Sequence, residues 1–248
     1  MKVSIIIAVY NEGRTVQELL EKVWNQELPR GLKKEIVIVE SHSTDQSREI
    51  CERFSKSKNS SNIKLILQPG PKGKGSAIRE GLVAATGDII LIQDADLEYD
   101  VADYPALLEP ILDQHSDFVL GSRHLAAGSW KIRTFESSPL KAMLLNFGGI
   151  FFHGLFNIIY GQHLTDPTTM YKVFRKKCVD GLYFSANRFD FDFELLGKLI
   201  RAGYPPLEVP VTYVSRSFTE GKKVRIFRDP ITWIIAILKY RFARLRDS

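Results

Sequence analysis

Gln93-Asp94-Ala95-Asp96 closes the apolar run Ile89 to Ile92. Two carboxylates one residue apart, at the end of a buried strand, can jointly grip a divalent cation. A hard cation such as Mg²⁺ takes one or two carboxylates together with phosphate oxygens and water. That chemistry suits a nucleoside diphosphate. The plain alternative is a polar strand-end turn, where Asp is common. A second acid group, Asp190, Asp192 and Glu194, alternates with Phe191 and Phe193. On a strand the three acids share one face; on a helix they do not. Asp190 can equally be a helix cap. Gly70 to Ser76 is glycine-rich and basic, but it lacks the spacing of a P-loop and of a dinucleotide fingerprint. It can still set helix-start N–H groups and Lys74 beside an anion. His42, His115, His124, His153 and His163 show no metal-ligand spacing, and Cys51 and Cys178 make no disulfide or zinc framework.

The elements that must hold these residues alternate along the first half of the chain. Apolar runs at Val3 to Val9, Glu35 to Val39, Ile63 to Leu67 and Ile89 to Ile92 read as strands. Helical spacing covers Thr15 to Trp24, Thr44 to Phe54 and Ser76 to Ala85, the second with a Ser or Thr cap before Asp45. Unbroken apolar strands belong to parallel sheets covered on both faces. The pattern predicts an α/β fold, a mostly parallel Rossmann-like sheet with helices on both faces. Ligands then bind beyond the carboxyl ends of the strands. Tyr10 to Glu12, Glu40 to Ser43, Gln68 to Gly75 and Asp94 to Glu98 should meet there. Further on, Phe118 to Leu120 and Leu207 to Val214 read as strands, and Ile231 to Leu238 as an apolar helix.

Taken in order, these segments resemble family 2 glycosyltransferases of the GT-A fold. The matching residues are Ile7 to Glu12, Val39 to Asp45, Lys72 to Gly75 and Asp94-Ala95-Asp96. Gly121-Ser122-Arg123, Asp166 to Lys172, Phe191 to Glu194, Arg216-Ser217 and Glu220 to Lys223 look like the dolichyl-phosphate mannose or glucose synthase branch. The resemblance implies that Ala8, Tyr10, Glu12, Lys74, Asp94 and Ala95 line the nucleotide pocket. Glu40 falls where the family has an Asp against the base. Asp96 is implied as the ligand of Mg²⁺ or Mn²⁺, with Asp94 and Glu98 beside it. Arg123 is implied to face the acceptor phosphate, and Glu194 to be the catalytic carboxylate. Arg216, Ser217 and Lys222 are implied to close over the diphosphate. Glu40-Ser41-His42-Ser43 departs from the family's Asp-Asp-Gly-Ser, which leaves guanine and uracil both open. Ala8 replaces a commoner proline.

The 248 residues are 44% hydrophobic and 25% charged, with a net charge of +5. That is an ordinary globular composition with a mild preference for anionic partners. No aromatic-basic platform points to nucleic acid. No leader is evident, so a cytoplasmic protein is expected. Ala142 to Thr165 holds no Asp, Glu, Lys or Arg. Its length reaches the ~20 residues of a membrane span, but a crossing would divide Asp96 and Arg123 from Asp166, Glu194 and Arg216. One or two amphipathic helices lying on a membrane or lining an acceptor channel are expected instead, a buried helix pair being the alternative. Residues 229–248 are expected to form a basic amphipathic anchor facing anionic lipid. Residues 1–228 are expected to form the glycosyltransferase domain, with a nucleotide-sugar half to about 123 and an acceptor half to 228. The expected function is inverting, metal-dependent transfer of a hexose from GDP- or UDP-sugar to a polyprenyl phosphate on the cytoplasmic membrane face. Transfer to a soluble or glycan hydroxyl, and a nonenzymatic nucleotide-sugar-binding scaffold, are the alternatives.

Overall fold

The computed structural model describes residues 1–58, 60–129, 139–216 and 229–246. Seven strands form one sheet: β1 (Lys2–Val9), β2 (Lys33–Glu40), β3 (Ile63–Leu67), β4 (Ile89–Asp94), β5 (Phe118–Ser122), β6 (Lys172–Arg175) and β7 (Leu207–Pro210). Their order is β3-β2-β1-β4-β6-β5-β7. The first four are parallel, as their apolar runs predict. β6 enters between β4 and β5 antiparallel to both, and β7 pairs parallel with β5. The register sets Ala8 beside both Asp94 and Val39, and Val9 beside Glu40. The loops after β1, β2 and β4 therefore leave the same edge.

Eight α-helices among the described residues cover the sheet: α1 (Val16–Asn25), α2 (Ser47–Lys58), α3 (Lys74–Ala84), α4 (Tyr104–Leu112), α5 (Arg123–Ala127), α6 (Pro139–Tyr160), α7 (Phe191–Arg201) and α8 (Asp229–Phe242). Successive strand residues face opposite sides. Ile5, Ile7, Ile89 and Leu91 join a core with α1, α2 and α4. Ile6, Ile90 and Ile92 join a second core with α3, α6, α7 and α8. Buried aliphatic side chains of this kind contribute roughly 1.5–3 kcal/mol each.

Three expectations are refined. The turn into α2 is held by Asp45, whose Oδ1 accepts from Ser47 N–H at 2.9 Å, in place of a Ser or Thr hydroxyl. The uncharged stretch lies, up to Tyr160, in one 22-residue helix, α6 (Pro139–Tyr160). Residues 191–201 are helical, so Asp190, Asp192 and Glu194 do not share a strand face. The C-terminal α8 buries Ala236, Ile237 and Tyr240 against α6 and α7. Arg201 fixes its end by donating to the carbonyls of Tyr240 at 2.8 Å and Ala243 at 2.7 Å. Among the described residues no helix is long and apolar enough to cross a membrane.

Candidate active site

Two loops at the carboxyl edge are laced together before any ligand is considered. The segment after β1 turns at Asn11 (φ 50°), and that after β2 at His42 (φ 55°). Few non-glycine residues adopt this left-handed geometry, and Asn and His are among those that do. Asn11 N–H donates to Ser43 Oγ at 3.0 Å, Glu12 N–H to Ser47 Oγ at 2.8 Å and Gly13 N–H to Asp45 Oδ2 at 2.9 Å. Asn11 Oδ1 accepts from Thr44 N–H at 2.8 Å. Glu40 is fully buried beneath this lacing. Its Oε1 accepts from Ser43 N–H at 2.6 Å, while Oε2 has no hydrogen-bond partner and lies 3.9 Å from Arg48 Nε. A buried carboxylate oxygen left unsatisfied is costly, so this one has an acceptor to spare. Tyr10 stands partly exposed on the same edge.

The acids after β4 separate into two pairings. Asp94 forms an ion pair with the half-buried Lys74. Burial alone would lower the Lys74 ammonium, but the charges of Asp94, Asp192 and Asp96 together with the Asp94 hydrogen bond outweigh it and raise its pKa. Asp96 instead meets Arg216: Nη2 lies 2.5 Å from Asp96 Oδ2 and Nη1 lies 2.9 Å from Glu12 Oε2. Glu98 completes the ring, 3.7 Å from Arg216 Nε, and accepts from Arg216 N–H at 2.8 Å and Tyr213 O–H at 2.9 Å. Burial, then the charges of Asp94 and Glu98, push the Asp96 carboxyl up to about 7 against the pull of Arg216. The residues gathered are thus Glu12, Asp96 and Glu98, with Asp94 drawn off by Lys74. The start of α3 differs from an open anion site, since Ser76 N–H donates to Asn187 O at 3.1 Å.

Arg123 and Asp166 form a buried bidentate pair, Nε to Oδ2 at 2.6 Å and Nη2 to Oδ1 at 2.7 Å. Two parallel charge-assisted bonds fix both planes. Burial alone would raise the Asp166 carboxyl, but Arg123 holds it well below the usual carboxylate range. Glu208 accepts from Asp166 N–H at 2.8 Å and sets the loop. His153 reaches in from α6, its Nε2 3.1 Å from Thr168 Oγ1 and 3.7 Å from Asp166 Oδ1. His124 stacks edge-on against it, with ring centroids 5.0 Å apart. Among the described residues, ligand atoms of three such side chains lie within 4.8 Å of one another at His124, His153 and Asp166. The Arg123 guanidinium also lies 5.1 Å over the Tyr213 ring, whose hydroxyl holds Glu98.

A model of the glycosyl transferase family 2 matches residues 4–182 of this chain. The chain belongs to that family. It is 31% identical over 223 residues to a dolichol-phosphate mannosyltransferase of Pyrococcus furiosus, a match covering 90% of this chain and 59% of that protein. The chain thus spans well under two thirds of that relative's length. Its fold is similar to crystal structures of glucosyl-3-phosphoglycerate synthase from Mycobacterium tuberculosis. One, in complex with Mg²⁺ and UDP, matches with a TM-score of 0.67 at 16% identity, over 96% of this chain and 79% of that one. Another, with Mn²⁺, UDP and phosphoglyceric acid, gives 0.66 at 18% identity, over 100% and 80%.

In this family 2 glycosyltransferase chain the edge of the sheet brings together Ala8, Tyr10, Glu12, Glu40, Lys74, Asp94, Ala95, Asp96, Glu98 and Arg216. Ser217 and Lys222 lie outside the described residues. Glu194 is not at this edge in the role expected of it. Its fully buried carboxylate accepts from the N–H groups of Ser185 (3.0 Å) and Ala186 (2.7 Å) and pairs with Lys198 at 2.8 Å. Both oxygens are thus committed to the 185–186 loop and to Lys198, and Glu194 staples that loop to α7. Asp192 is the acid that faces the cations, 3.5 Å from the fully buried Lys172 and close enough to raise the Lys74 pKa. Asp190 precedes α7 and accepts from Arg188 N–H at 3.0 Å, without bonding the helix N–H groups. Sequence reasoning missed the staple, although Lys198 four residues after Glu194 is the spacing of an intrahelical pair. It also gave His153 only a structural or solvent role; its one signal was a lone histidine in an uncharged stretch. Glu194→Gln should lower stability by about 2 kcal/mol, the scale of unsatisfied buried groups. Thermal melts should show this loss while nucleotide binding at low temperature stays unchanged.

Proposed function

We propose that this chain carries out inverting, cation-dependent transfer of a hexose from a nucleoside diphosphate sugar to a polyprenyl phosphate at the cytoplasmic face of a membrane. The observation that carries the reading is the two-sidedness of α6. One stripe buries Asn146 and Phe156 and sends His153 to the Arg123–Asp166 pair. The other leaves Met143, Phe147, Ile150, Phe151 and Ile158 exposed. A lipid phosphate has the same polarity, an anionic head and an apolar tail. The exposed Ile231, Ile235, Leu238 and Phe242 of the adjoining α8, with Lys239 and Arg241 in its last turn, extend the apolar face and add positive charge. Such a surface suits an interfacial helix pair on anionic lipid. In this reading residues 1–123 bind the donor, 124–228 the acceptor, and 229–248 attach the chain to lipid.

Asp96, with Asp94 and Glu98 beside it, offers the oxygen donors that a hard divalent cation such as Mg²⁺ or Mn²⁺ takes. When bound, such a cation supplies Lewis-acid neutralisation of the leaving diphosphate. The chain's own residues do the rest. Glu40 Oε2, buried and without a hydrogen-bond partner, accepts an N–H of the base. Lys74 and Arg216 add positive charge where the diphosphate develops its own. A phosphate acceptor is already an anion and needs no strong base, in keeping with the stapled Glu194. A hydroxyl acceptor would call on Asp192.

The test is transfer of labelled hexose from GDP-mannose and UDP-glucose, with Mn²⁺, to polyprenyl phosphate in vesicles and to water-soluble hydroxyl acceptors. Label in the lipid fraction is expected. Label only in hydroxyl products would move the reading to the second acceptor class, and no transfer or hydrolysis to a nonenzymatic binder. Phe147→Asp with Phe151→Asp should weaken flotation with anionic vesicles by about 10–100-fold, since a large apolar side chain is worth roughly 1.5–3 kcal/mol on burial. Unchanged flotation would remove α6 from the lipid contact.

A further inference from the structure

Three metal-ligating side chains from separate parts of the chain meet at one point: His124 on α5, His153 on α6 and Asp166 on the loop before β6. One ligand atom of each lies within 4.8 Å of the others, and the set shares no residue with the Asp94–Glu98 loop. One edge of the triangle, His153 Nε2 to Asp166 Oδ1, is 3.7 Å. Two ligands of a tetrahedral zinc, each about 2.0–2.1 Å from the metal, stand about 3.4 Å apart. That edge is therefore near its bound length. His124 sits partly exposed on a five-residue helix and is the side chain that draws in.

The hydrogen bonds around the three suit ligation. His124 Nδ1 lies 3.0 Å from the Ser129 carbonyl oxygen. A carbonyl only accepts, so Nδ1 carries the proton and the neutral ring keeps its lone pair on Nε2. Donation of the other ring N–H to a backbone carbonyl is a common way of orienting a metal-bound histidine. Thr168 Oγ1 lies 3.1 Å from both His153 Nε2 and Asp166 Oδ1, and accepts from Arg123 Nη2 at 2.9 Å. With the lone pair on His153 Nε2, the one Thr168 proton can serve the imidazole or the carboxylate but not both. A cation between them meets both. Arg123 holds Asp166 from behind, as ligating carboxylates are themselves held by hydrogen bonds. Glu208 accepts from the N–H groups of Thr165 and Asp166 and adds a second negative charge to the one that Arg123 offsets.

We propose that His124, His153 and Asp166 bind a transition-metal ion of the zinc type, at a site separate from the oxygen donors at Asp96. Two imidazoles favour such ions, whereas Mg²⁺ and Mn²⁺ go to carboxylate, carbonyl and water oxygens. The ion ties α5, α6 and the loop at Asp166 together. It thereby fixes the helix that leaves Met143, Phe147 and Phe151 exposed. The site goes beyond the donor chemistry proposed above and does not depend on it.

The experiment is calorimetric titration of the whole chain with Zn²⁺, in the unaltered protein and in Asp96→Asn, which removes the donor-side ligand. Asp96→Asn should still bind one equivalent of Zn²⁺, and its melting temperature should rise with Zn²⁺ by mass action. In that background His153→Ala and His124→Ala should each weaken Zn²⁺ binding by at least about 10–100-fold, the scale of losing even a supporting partner of a metal ligand. His124→Ala, at a partly exposed position, serves if His153→Ala does not fold. Co²⁺ in place of Zn²⁺ should give the visible bands of a tetrahedral complex, and these should vanish with either histidine. Zn²⁺ binding that folded histidine variants keep in full, or that is lost with Asp96→Asn alone, overturns the proposal, as does a chain that binds no Zn²⁺. A failure of the Asp96 reading would show in Mn²⁺ binding that ignores Asp96→Asn and would leave these results as they are.

Discussion

Asp96→Asn should reduce hexose transfer by roughly 10²–10³-fold, the scale of losing a group that stabilises transition-state charge, and should make the ligand-free protein more stable at pH 8. The two effects have one cause. Asp96 sits among Asp94 and Glu98 in a buried place, and its carboxyl is pushed up to about 7. In an unfolded chain a carboxyl of this kind ionises near 4. Between these values the folded protein holds a proton that the unfolded chain has released. Stability from this group is therefore full below pH about 4 and falls as pH rises through about 7. Asparagine carries no charge and escapes that loss. Melting curves from pH 4 to 8 should show the variant gaining on the unaltered protein as pH rises. An equal loss of stability at every pH would mean that the Arg216 contact outweighs the crowding of acids. Cation binding should likewise strengthen up to about pH 7, because an ionised Asp96 is the better ligand.

Arg123→Ala should cost about 3–5 kcal/mol of stability, because it strands the Asp166 carboxylate in a fully buried place without its counter-charge. For a chain of this size ~2–4 °C of melting temperature accompanies each kcal/mol, so a fall of about 6–20 °C is expected. Removing Asp166 as well should restore part of the loss, since the two act as one unit. Arg123 also lies over Tyr213, which holds Glu98. Transfer measured well below the melting temperature should therefore fall more than nucleotide binding does. A variant with an unchanged melting temperature would contradict the buried pairing.

The first half of the chain was legible because its physics is local. Runs such as Ile5-Ile6-Ile7 and Ile89 to Ile92 belong to strands buried on both faces, and the structure buries every one of these residues. Ile63 to Leu67 has the bounds its composition predicts. Parallel direction then forces Glu12, Glu40 and Asp96 to one edge, so the meeting of these residues followed from the strand pattern. The antiparallel β6 was not legible. Lys172 to Arg175 is four residues long, too short for a periodicity to declare itself, and its pairing is decided by distant partners on β4 and β5. The Leu207 strand ends at Pro210, short of the expected Val214, in keeping with the missing proline donor. Inside the site, residue type told which groups could act but not whom they face. Glu194 and Asp192 are both acids in the first turn of α7. The three-dimensional course of residues 185–186 seals Glu194, and the placing of β6 brings Lys172 to Asp192. Asp94 is likewise claimed by Lys74 from the start of α3, and Glu12 stands beside Asp96 and Glu98 at Arg216.

The most direct test of the account is anomalous diffraction at the manganese edge from crystals grown with Mn²⁺ and a nucleoside diphosphate. The account predicts a manganese peak against the Asp96 carboxylate, with the diphosphate beside it and the base toward Glu40. A peak among His124, His153 and Asp166 instead, or a diphosphate bound away from the Asp94–Glu98 loop, would contradict it.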